Sequence, residues 1–399
     1  MMTEVGGSGE RFPWYYHTPD RIGGSTADSS IEPPIKKLLT LSGVFVSTSL
    51  LYSFVGMDAS TDQIEAGRID TDNTYYELYQ KSVELGTWDA EKLMHKVGFE
   101  EDKEVWDSLD DNEKEQWARL ISYFIDGEHA VAQDARRIMK TVSSPWFDRS
   151  IEKEMFASAL ALEEAKHTQF FDLYLTNVMV DKFPQYELDT RRGGIQIPRT
   201  EACGAGEMFE RQGTLQAQAA DGGAPTDIAR AATNYHIGVE GILARGGYFA
   251  KNRMMQEAPL KLLNKGFQFI STDEGRHITF GLEVLNELIE KEREGIPEYQ
   301  GVENAIWEQA VEDIGYITDT AYFITESVGD PLNVDFDELV NRGARLAGDM
   351  MFDTLDLDAG SATEFMQASA DAMEEAQGSD YEAVIEKYDH IYSAKMAGD

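Results

Sequence analysis

The chain has 399 residues, of which 73 are acidic and 35 are basic, so its formal net charge is −38 at pH 7. A surface with this charge repels nucleic acid and anionic membranes, and neither is expected as a partner. The single cysteine, Cys203, excludes an internal disulfide framework and a zinc ribbon.

The acidic residues are spread along the whole chain, which is typical of proteins that stay soluble in concentrated salt, where ions screen the repulsion between like charges. We therefore expect a protein from the cytoplasm of a salt-loving organism. The first thirty-five residues are polar and rich in Gly, Ser and Pro, so no signal peptide is expected at the N-terminus.

Residues 1–72 are predicted to form an N-terminal extension, flexible in part, that precedes the main domain. Within it, residues 38–57 carry no charge over about the length of a membrane helix. Six Ser or Thr and two Gly interrupt this stretch, and β-branched residues occupy its middle. We expect an arm that packs on the main domain or on a partner subunit, and not a membrane anchor.

From residue 73 onward the pattern is helical, and strand signals are nearly absent. Apolar residues at spacings of three and four predict four long helices and a shorter pair, at 111–139, 149–180, 226–257, 259–293, 301–328 and 334–353. An acidic, Ala-rich tail at 354–399 follows and is a further candidate helix. The sequence therefore predicts an all-α domain over residues 73–353.

Two of the long helices carry a Glu-x-x-His pattern on the face that is otherwise apolar. Glu164 and His167 interrupt this face on the second helix, and Glu274 and His277 do so on the fourth. Burying such groups costs several kcal/mol unless something pairs with them. Three residues of α-helix turn about 300°, so each Glu and His lie about 60° apart and one turn apart. Each pair can therefore reach the same ion.

The first and third long helices each place a single glutamate, Glu128 and Glu240, on the same kind of face. One Glu from each of two helices and one Glu-x-x-His from each of the others form the ligand set of di-iron and di-manganese carboxylate bundles. Glu128 and Glu164 are 36 residues apart, Glu240 and Glu274 are 34 apart, and 76 residues separate Glu164 from Glu240. Two hairpins with one long crossover predict a ferritin-like four-helix bundle with extra helices.

The charges of this ligand set also predict two divalent cations. Four glutamates carry four negative charges, which two such ions neutralise. Carboxylate and imidazole donors suit iron and manganese. Glu163 and Asp273, which precede the two motif glutamates, are predicted to accept hydrogen bonds from imidazole N–H groups, either of the same motif or across the bundle. His129 and His236 are interpreted as ordinary helix residues.

The segments EEAKHTQ, DEGRH and NYHIGVEGILARGGYF resemble the small-subunit superfamily of ribonucleotide reductase, and more closely its ligand-binding oxidases with a mixed manganese/iron centre. The resemblance covers roughly residues 73–350 and is specific in the four ligand helices. Radical-storing small subunits carry a tyrosine four residues after the first motif histidine, where this sequence has Phe171. The ligand-binding oxidases also have Phe at this position.

The resemblance implies roles for three further residues. Val131 and Tyr235 match a valine and a tyrosine that the family joins by an ether cross-link, and Tyr248 matches another tyrosine of the ligand pocket. It also implies a long-chain fatty acid, or a similar apolar carboxylate, beside the metals. On a straight α-helix Tyr235 lies about 140° from Glu240 and faces away from the metals, so a π-bulge near Gly238 is predicted to re-aim it.

The predicted function is an oxygen-activating oxidase with one manganese and one iron ion, or two iron ions, in a homodimer. A true reductase small subunit that stores its oxidising equivalent on the metal pair also tolerates Phe171, and would use Tyr388 or Tyr392 to relay electrons. An acyl desaturase shares paired motifs of this kind. Non-enzymatic metal storage is the alternative from another class.

Overall fold

The computed structural model describes residues 69–147, 151–179, 205–325 and 332–378. Apart from a short 3₁₀ turn at Pro297–Tyr299, the regular elements in these ranges are α-helices or π-helices, numbered in chain order: α1 Thr74–Leu85, α2 Ala90–Val97, α3 Glu100–Ser108, α4 Asp111–Val142, α5 Ile151–Asn177, α6 Ala205–Ala220, α7 Pro225–Ala232, π1 Thr233–Ala244, α8 Arg245–Glu257, α9 Lys261–Arg293, α10 Val302–Thr325, α11 Phe336–Gly348, π2 Asp349–Thr354 and α12 Ala362–Gly378. The predicted all-α fold is confirmed, and the bounds of the six predicted helices agree with the structure to within three residues.

Four long rods form the predicted bundle. The first hairpin consists of α4 and α5, and the second consists of the continuous rod α7–π1–α8 followed by α9. α4 packs along α5, and α9 packs against both α5 and π1. The middle of each rod therefore lies next to the middle of the others, which is where the predicted ligands occur.

Two further sets of helices cover this bundle. α1 and α2 pack on α5 and α9, and α3 also contacts α9. α10 and α11 pack behind π1, and α12 packs in turn on α10 and α11. The tail segment predicted as a candidate helix thus contains α12.

The helix ends use both local and distant capping groups. At the start of α4, Asp110 and Glu113 form a capping box in which each side chain accepts a backbone N–H of the other residue. α9 is capped from α3, because the Asp102 carboxylate accepts the backbone N–H groups of Leu262 and Leu263, both at 3.1 Å. With this distant cap α9 begins at Lys261, two residues after the start at Pro259 that the sequence predicted.

An aromatic cluster of Phe124, Phe171, Tyr248 and Phe267 fills the bundle on one side of its centre. Phe124 stacks on Phe171 and Tyr248, with ring centroids 5.7 and 5.4 Å apart, and meets Phe267 edge-on at 4.7 Å. Phe171 is fully buried in this cluster. Packing of this kind fixes ring positions, since offset and edge-to-face pairs are the favoured arrangements.

Several predictions fall on residues outside the described ranges. They concern nearly all of the extension at 1–72, with its apolar stretch at 38–57, as well as Cys203, Tyr388 and Tyr392. The described residues all belong to the compact unit Arg68–Asp399, and the domain bounds at 72 and 353 stay predictions. Among the described residues, the helices are too short or too polar to cross a membrane.

Candidate metal centre

Six buried side chains from the four rods converge in the middle of the bundle. They form two overlapping groups, and within each group one donor atom per residue lies within 4.8 Å of every other. The first group contains Glu128, Glu164, His167 and Glu274, and the second contains Glu164, Glu240, Glu274 and His277. The structure thus brings together all six residues that the sequence singles out as candidate ligands.

Each histidine directs its Nδ1 atom into one group. His167 Nδ1 lies 3.1 Å from Glu128 Oε2 and 3.3 Å from Glu274 Oε1. The same nitrogen lies 3.5 Å from Glu164 Oε2. One imidazole nitrogen therefore faces three carboxylates, which is the arrangement of donors around a single ion.

The second group mirrors the first. His277 Nδ1 lies 3.0 Å from Glu164 Oε1, 3.2 Å from Glu240 Oε1 and 3.4 Å from Glu274 Oε2. Glu164 and Glu274 thus turn one oxygen toward each histidine. Two ions bound here would share Glu164 and Glu274, and one further Glu and one His would complete each set of ligands.

Three buried polar atoms of the second group form no hydrogen bond, and they show whether the site fits a metal ion. His277 Nδ1, Glu240 Oε1 and Glu274 Oε2 are buried and form no hydrogen bond. Each buried polar atom without a partner costs about 1–3 kcal/mol. Carboxylate oxygen and imidazole nitrogen are donors that iron and manganese accept, and two divalent cations neutralise four carboxylates. The residues therefore fit a pair of such ions.

The carboxylates of the centre differ in their affinity for protons. Burial raises the pKa of Glu128 well above its usual range, and the charges of Glu164 and Glu274 add to this effect. Burial and the charge of Glu164 also raise the pKa of Glu274. Burial acts in the same direction on Glu164, but the neighbouring imidazoles of His167 and His277 outweigh it and lower its pKa.

The two imidazoles favour the charged form. Desolvation lowers the pKa of His167, but the charge of Glu128 and the hydrogen bond to Asp273 outweigh it and raise the pKa well above its usual value. Hydrogen bonds to carboxylates, that of Glu163 first, raise the pKa of His277 against the same opposing effect of burial. In the metal-free protein these surroundings favour the protonated imidazoles, so a metal ion that binds competes with a proton at each histidine.

The outer nitrogen of each histidine bonds to an acid from the other motif. His277 Nε2 lies 2.9 Å from Glu163 Oε2, and His167 Nε2 lies 3.1 Å from Asp273 Oδ2. This crossed arrangement confirms the predicted role of both acids. It fixes the ring orientation, so that Nδ1 of each histidine faces the centre.

Three more residues hold these outer acids, and the sequence interpretation missed them. Trp88, in the connection between α1 and α2, donates its indole N–H to Asp273 at 2.8 Å. Arg276 donates to both acids, and Lys166 lies 3.5 Å from Asp273. Arg276 follows Asp273 by three residues, a helical spacing that is a usable signal. Trp88 gives no local signal, because its contact depends on how α1 and α2 pack.

The π1 segment turns Tyr235 toward the centre, which confirms the predicted departure from α-helix. Tyr235 is fully buried and donates its hydroxyl hydrogen to Glu164 Oε1 at 3.1 Å. Gly238 lies within π1, as predicted, where it packs against Met208 and Asp313. The wider turn of a π-helix shifts the angular positions of its residues, so Tyr235 and Glu240 both face inward.

His236 corrects one interpretation, because it is not an ordinary helix residue. It is 3% exposed, and its Nδ1 lies 2.9 Å from Glu240 Oε2. Its ring packs on Gly281 of α9, where an added Cβ would lie 2.0 Å from His236 Cγ. His236 thus positions Glu240, a role that the spacing of four residues between them could have indicated. His129 is exposed, as expected of a surface helix residue.

The remaining predicted site residues lie around the same centre. Val131 is buried one turn after Glu128. The Tyr248 hydroxyl is buried without a hydrogen-bond partner, and its ring stacks on Phe124. Burial and the charge of Glu274 raise the pKa of Tyr248 well above its usual value.

A small cavity lies beside the converging carboxylates. Its volume is about 30 Å³, and its walls are Tyr123, Phe124, Gly127, Glu128, Val131, Glu164, Val239, Glu240, Ala244 and Glu274. Val131 is thus the only one of the three residues Val131, Tyr235 and Tyr248 that lines it. A cavity of this size holds one or two small molecules, since a water needs roughly 10–15 Å³.

A helical bundle whose four central rods direct four glutamates and two histidines into two linked groups has a ferritin-like fold and a donor set that fits a pair of metal ions. Its fold is similar to that of solved R2-like ligand-binding oxidases, which confirms the predicted resemblance at the level of the fold. No protein-family model matches the chain.

Three of these structures illustrate the similarity. The oxidase from Sulfolobus acidocaldarius is 22% identical, with a TM-score of 0.59 over 77% of this chain and 99% of that one. A valine-to-leucine variant with an anaerobically reconstituted Mn/Fe cofactor is 21% identical, with a TM-score of 0.59 over 74% and 98%. A photoconverted form with an aerobically reconstituted metal cofactor is 22% identical, with a TM-score of 0.56 over 74% and 98%.

Proposed function

We propose that the protein is an oxidoreductase that activates dioxygen at one manganese and one iron ion, or two iron ions, held by the six converging residues. The observation that carries this proposal is the pair of overlapping donor groups that share Glu164 and Glu274. The solved structures with a similar fold include forms named for a Mn/Fe cofactor, which supports the same choice of metals. When bound, such a pair supplies one-electron steps that allow dioxygen to react.

The residues of the chain prepare this site for metal and oxygen. Glu163 and Asp273 hold the two histidines with Nδ1 inward. The Tyr235 hydroxyl keeps its proton and donates it in a hydrogen bond to Glu164. The walls of the adjacent cavity keep bulk water away from the carboxylates, while the cavity itself has room for a diatomic molecule.

The direct test is anomalous X-ray scattering at the iron and manganese edges, on crystals of protein loaded with both metals in air. We expect two peaks, one in the group of His167 and one in the group of His277. The matched variants His167→Ala and His277→Ala should each lose the peak of their own group first. A single peak, or none, in the loaded protein would contradict the dinuclear centre.

We further propose that Val131 and Tyr235 form an ether cross-link. The Tyr235 hydroxyl bonds to Glu164, and Val131 lines the cavity beside the same carboxylate. Joining the phenol oxygen to the valine side chain removes one hydrogen from O–H and one from C–H, and dioxygen is the oxidant that takes up both.

Mass spectrometry of proteolytic peptides tests this cross-link. Aerobic, metal-loaded protein should yield a joined species two hydrogens lighter than the sum of the peptides that contain Val131 and Tyr235. The Tyr235→Phe variant is the control and should yield only separate peptides. Separate, unmodified peptides from the aerobic wild-type protein would disprove the cross-link but would not contradict the proposed metal centre.

The proposed ligand is a long-chain fatty acid or a similar apolar carboxylate. A second cavity of about 20 Å³, with apolar walls that include Ile242, Leu243 and Leu339, lies near the first, and Tyr123 lines both. Neither volume holds a long chain, so Tyr123 must turn aside for an alkyl chain to pass from one to the other. Lipid extracted from Tyr123→Ala and Tyr123→Trp should differ in chain length, with the longer chains in Tyr123→Ala.

Other parts of the predicted function stay proposals of the same kind. They are a homodimer, a cytoplasmic location and the absence of nucleic acid as a partner. Nucleotide reduction with an added large subunit would favour the reductase alternative instead, and assembly into a large cage would favour metal storage.

A further inference from the structure

A layer of charged and polar side chains covers the outer side of both metal-site histidines. Its centre is Arg276, which is 5% exposed and lies between the outer acids Glu163 and Asp273. Its Nη2 atom donates to Glu163 Oε1 at 2.5 Å and to Asp273 Oδ1 at 2.6 Å. One guanidinium group therefore bonds to both acids.

The other oxygen of each acid faces a histidine. Glu163 Oε2 lies 2.9 Å from His277 Nε2, and Asp273 Oδ2 lies 3.1 Å from His167 Nε2. Arg276 thus stands in the middle of a continuous hydrogen-bond chain that runs from one histidine to the other. Charge-assisted bonds of this kind are short and are roughly twice as strong as bonds between neutral groups.

Two further bonds fix the guanidinium group itself. Its Nε atom donates to Ser82 Oγ of α1 at 3.0 Å, and its Nη1 atom donates to the Thr272 carbonyl at 3.1 Å. On the α1 side the backbone of Gly86 lies directly against Glu163, since an added Cβ there would be 2.4 Å from Glu163 Oε1. A planar group held at this many points cannot turn toward one acid without leaving the other.

The two acids differ in how much support they receive besides Arg276. Asp273 Oδ2 also accepts the Trp88 indole N–H at 2.8 Å and lies 3.5 Å from the Lys166 ammonium group. In the described part of the chain, the additional support for Glu163 is a long contact of 3.5 Å from the Ser82 hydroxyl. Among the described residues, Arg276 is the only lysine or arginine within ion-pair distance of Glu163.

We propose that Arg276 is a positioning residue that couples the two metal sites, and that the site of His277 depends on it more than the site of His167 does. This inference rests on the proposed metal centre. Without the guanidinium group, Glu163 loses its counter-charge and its strongest donor and no longer holds His277 in place. Asp273 keeps Trp88 and Lys166, so His167 keeps its orientation.

The test compares metal binding by the full-length, metal-free protein and its variants. Titration with Mn²⁺, followed by calorimetry and by electron paramagnetic resonance, counts the ions bound and detects the magnetic coupling of a pair. Wild-type protein should bind two coupled ions. Arg276→Met should bind one ion about as well as wild type and the second about 10–100-fold more weakly, the usual effect of losing an outer partner of a ligand.

Three variants sharpen this outcome. Arg276→Lys should recover part of the second affinity, since an ammonium group can bond to one acid. Lys166→Met is the matched control and should weaken the second ion much less than Arg276→Met does. Glu163→Gln should reproduce the effect of Arg276→Met, and it keeps the test decisive if Arg276→Met does not fold.

Anomalous scattering from Mn²⁺ crystals of Arg276→Met shows which ion remains. We expect the retained peak in the group of His167. Retention in the group of His277, equal weakening of both ions, or two ions bound with wild-type affinity would each overturn the inference. A wild-type protein that binds no pair of ions would instead overturn the proposed metal centre, so the two failures are distinct.

Discussion

The two sides of the metal centre are built from different kinds of backbone. α5 and α9 are regular helices, and each supplies a Glu and a His one turn apart. π1 departs from this regularity and places Tyr235 and His236, two consecutive residues, on Glu164 and Glu240. Metal binding should therefore depend chiefly on α5 and α9, which form the regular side of the centre. The orientation of the Tyr235 side chain should depend on π1.

The packing behind each side differs in the same way. The regular side is covered by α1 and by its connection to α2, which contribute Ser82 and Trp88 to the polar layer around Glu163 and Asp273. π1 is held from behind by α10, where Asn234 donates to Asp313 Oδ1 at 2.9 Å in a fully buried position. Substitutions should therefore be able to change metal binding without changing the orientation of Tyr235, and the reverse.

The largest effect is expected at a residue that both donor groups share. Glu164→Ala removes a carboxylate from each group, so the affinity for both ions should fall by more than about 100-fold, beyond the loss caused by an outer residue. Tyr235→Phe removes only a hydroxyl group and should retain both ions. Metal content after gel filtration measures the difference, and two retained ions in Glu164→Ala would contradict the bridging role.

The second-largest effect is expected from a lower pH, which should weaken metal binding at His167 and His277 on the regular side. The raised pKa values of His167 and His277 mean that protons compete with metal. Release of one proton from each imidazole predicts that binding of the pair weakens by about 100-fold from pH 7 to pH 6. Calorimetry in two buffers of different ionisation enthalpy counts these protons, and a count near zero would contradict the charged imidazoles.

The raised pKa values of the two imidazoles give the stability of the metal-free protein a pH dependence opposite to that of metal binding. The folded pKa of each imidazole lies above its unfolded value of about 6.5. The stability contributed by these cations is therefore complete below that value and is lost as the pH rises through the folded pKa. Thermal unfolding of the metal-free protein should show this loss at alkaline pH.

A substitution at the contact between the two sides should have a smaller effect. Gly281→Ala places a Cβ atom in the position of the His236 ring, so it should destabilise the fold by about 1–3 kcal/mol and release Glu240 from His236. Gly275→Ala on the same helix meets no atom within 4 Å. It should stabilise the fold by about 0.5–1 kcal/mol. Denaturant unfolding of the two variants measures both changes.

The smallest effect is expected within π1 itself. Gly238→Ala brings a Cβ atom to 2.8 Å from Met208 and 3.0 Å from Asp313, and the flexible end of Met208 can give way, so about 1 kcal/mol should be lost. Hydrogen exchange in residues 233–244 should increase and the cross-link yield should fall, while metal affinity stays close to wild type. Gly315→Ala on α10 has open space around it and serves as the control.

The regular side was the part that the sequence predicted well. Helical periodicity places Glu164, His167, Glu274 and His277 on buried faces, and the hairpin spacing brings the two faces together. Each of these positions follows from repeated local geometry, which tertiary packing leaves unchanged. The crossed bonds of Glu163 and Asp273 follow from the same geometry.

The rest of the centre depends on contacts between distant parts of the chain. His236 was interpreted wrongly because its burial requires Gly281 of another helix. Trp88 reaches Asp273 from 185 residues away in the chain. Asp313 is a buried acid whose pKa burial raises to about 7. Nothing in its own segment indicates that it packs against π1. Local patterns cannot encode such contacts, because they arise only when the helices are assembled.

The Asp102 carboxylate has a consequence for the order in which the molecule opens. It caps the first turn of α9 and also accepts the Tyr174 hydroxyl of α5 at 3.0 Å. When α3 detaches, the amides of Leu262 and Leu263 lose their acceptor and exchange their hydrogens with solvent. α3 and the ends of the two motif helices should therefore open as one cooperative unit. Loss of the Asp102 contacts on α3 would therefore first destabilise the ends of α5 and α9, the two helices that carry the histidines.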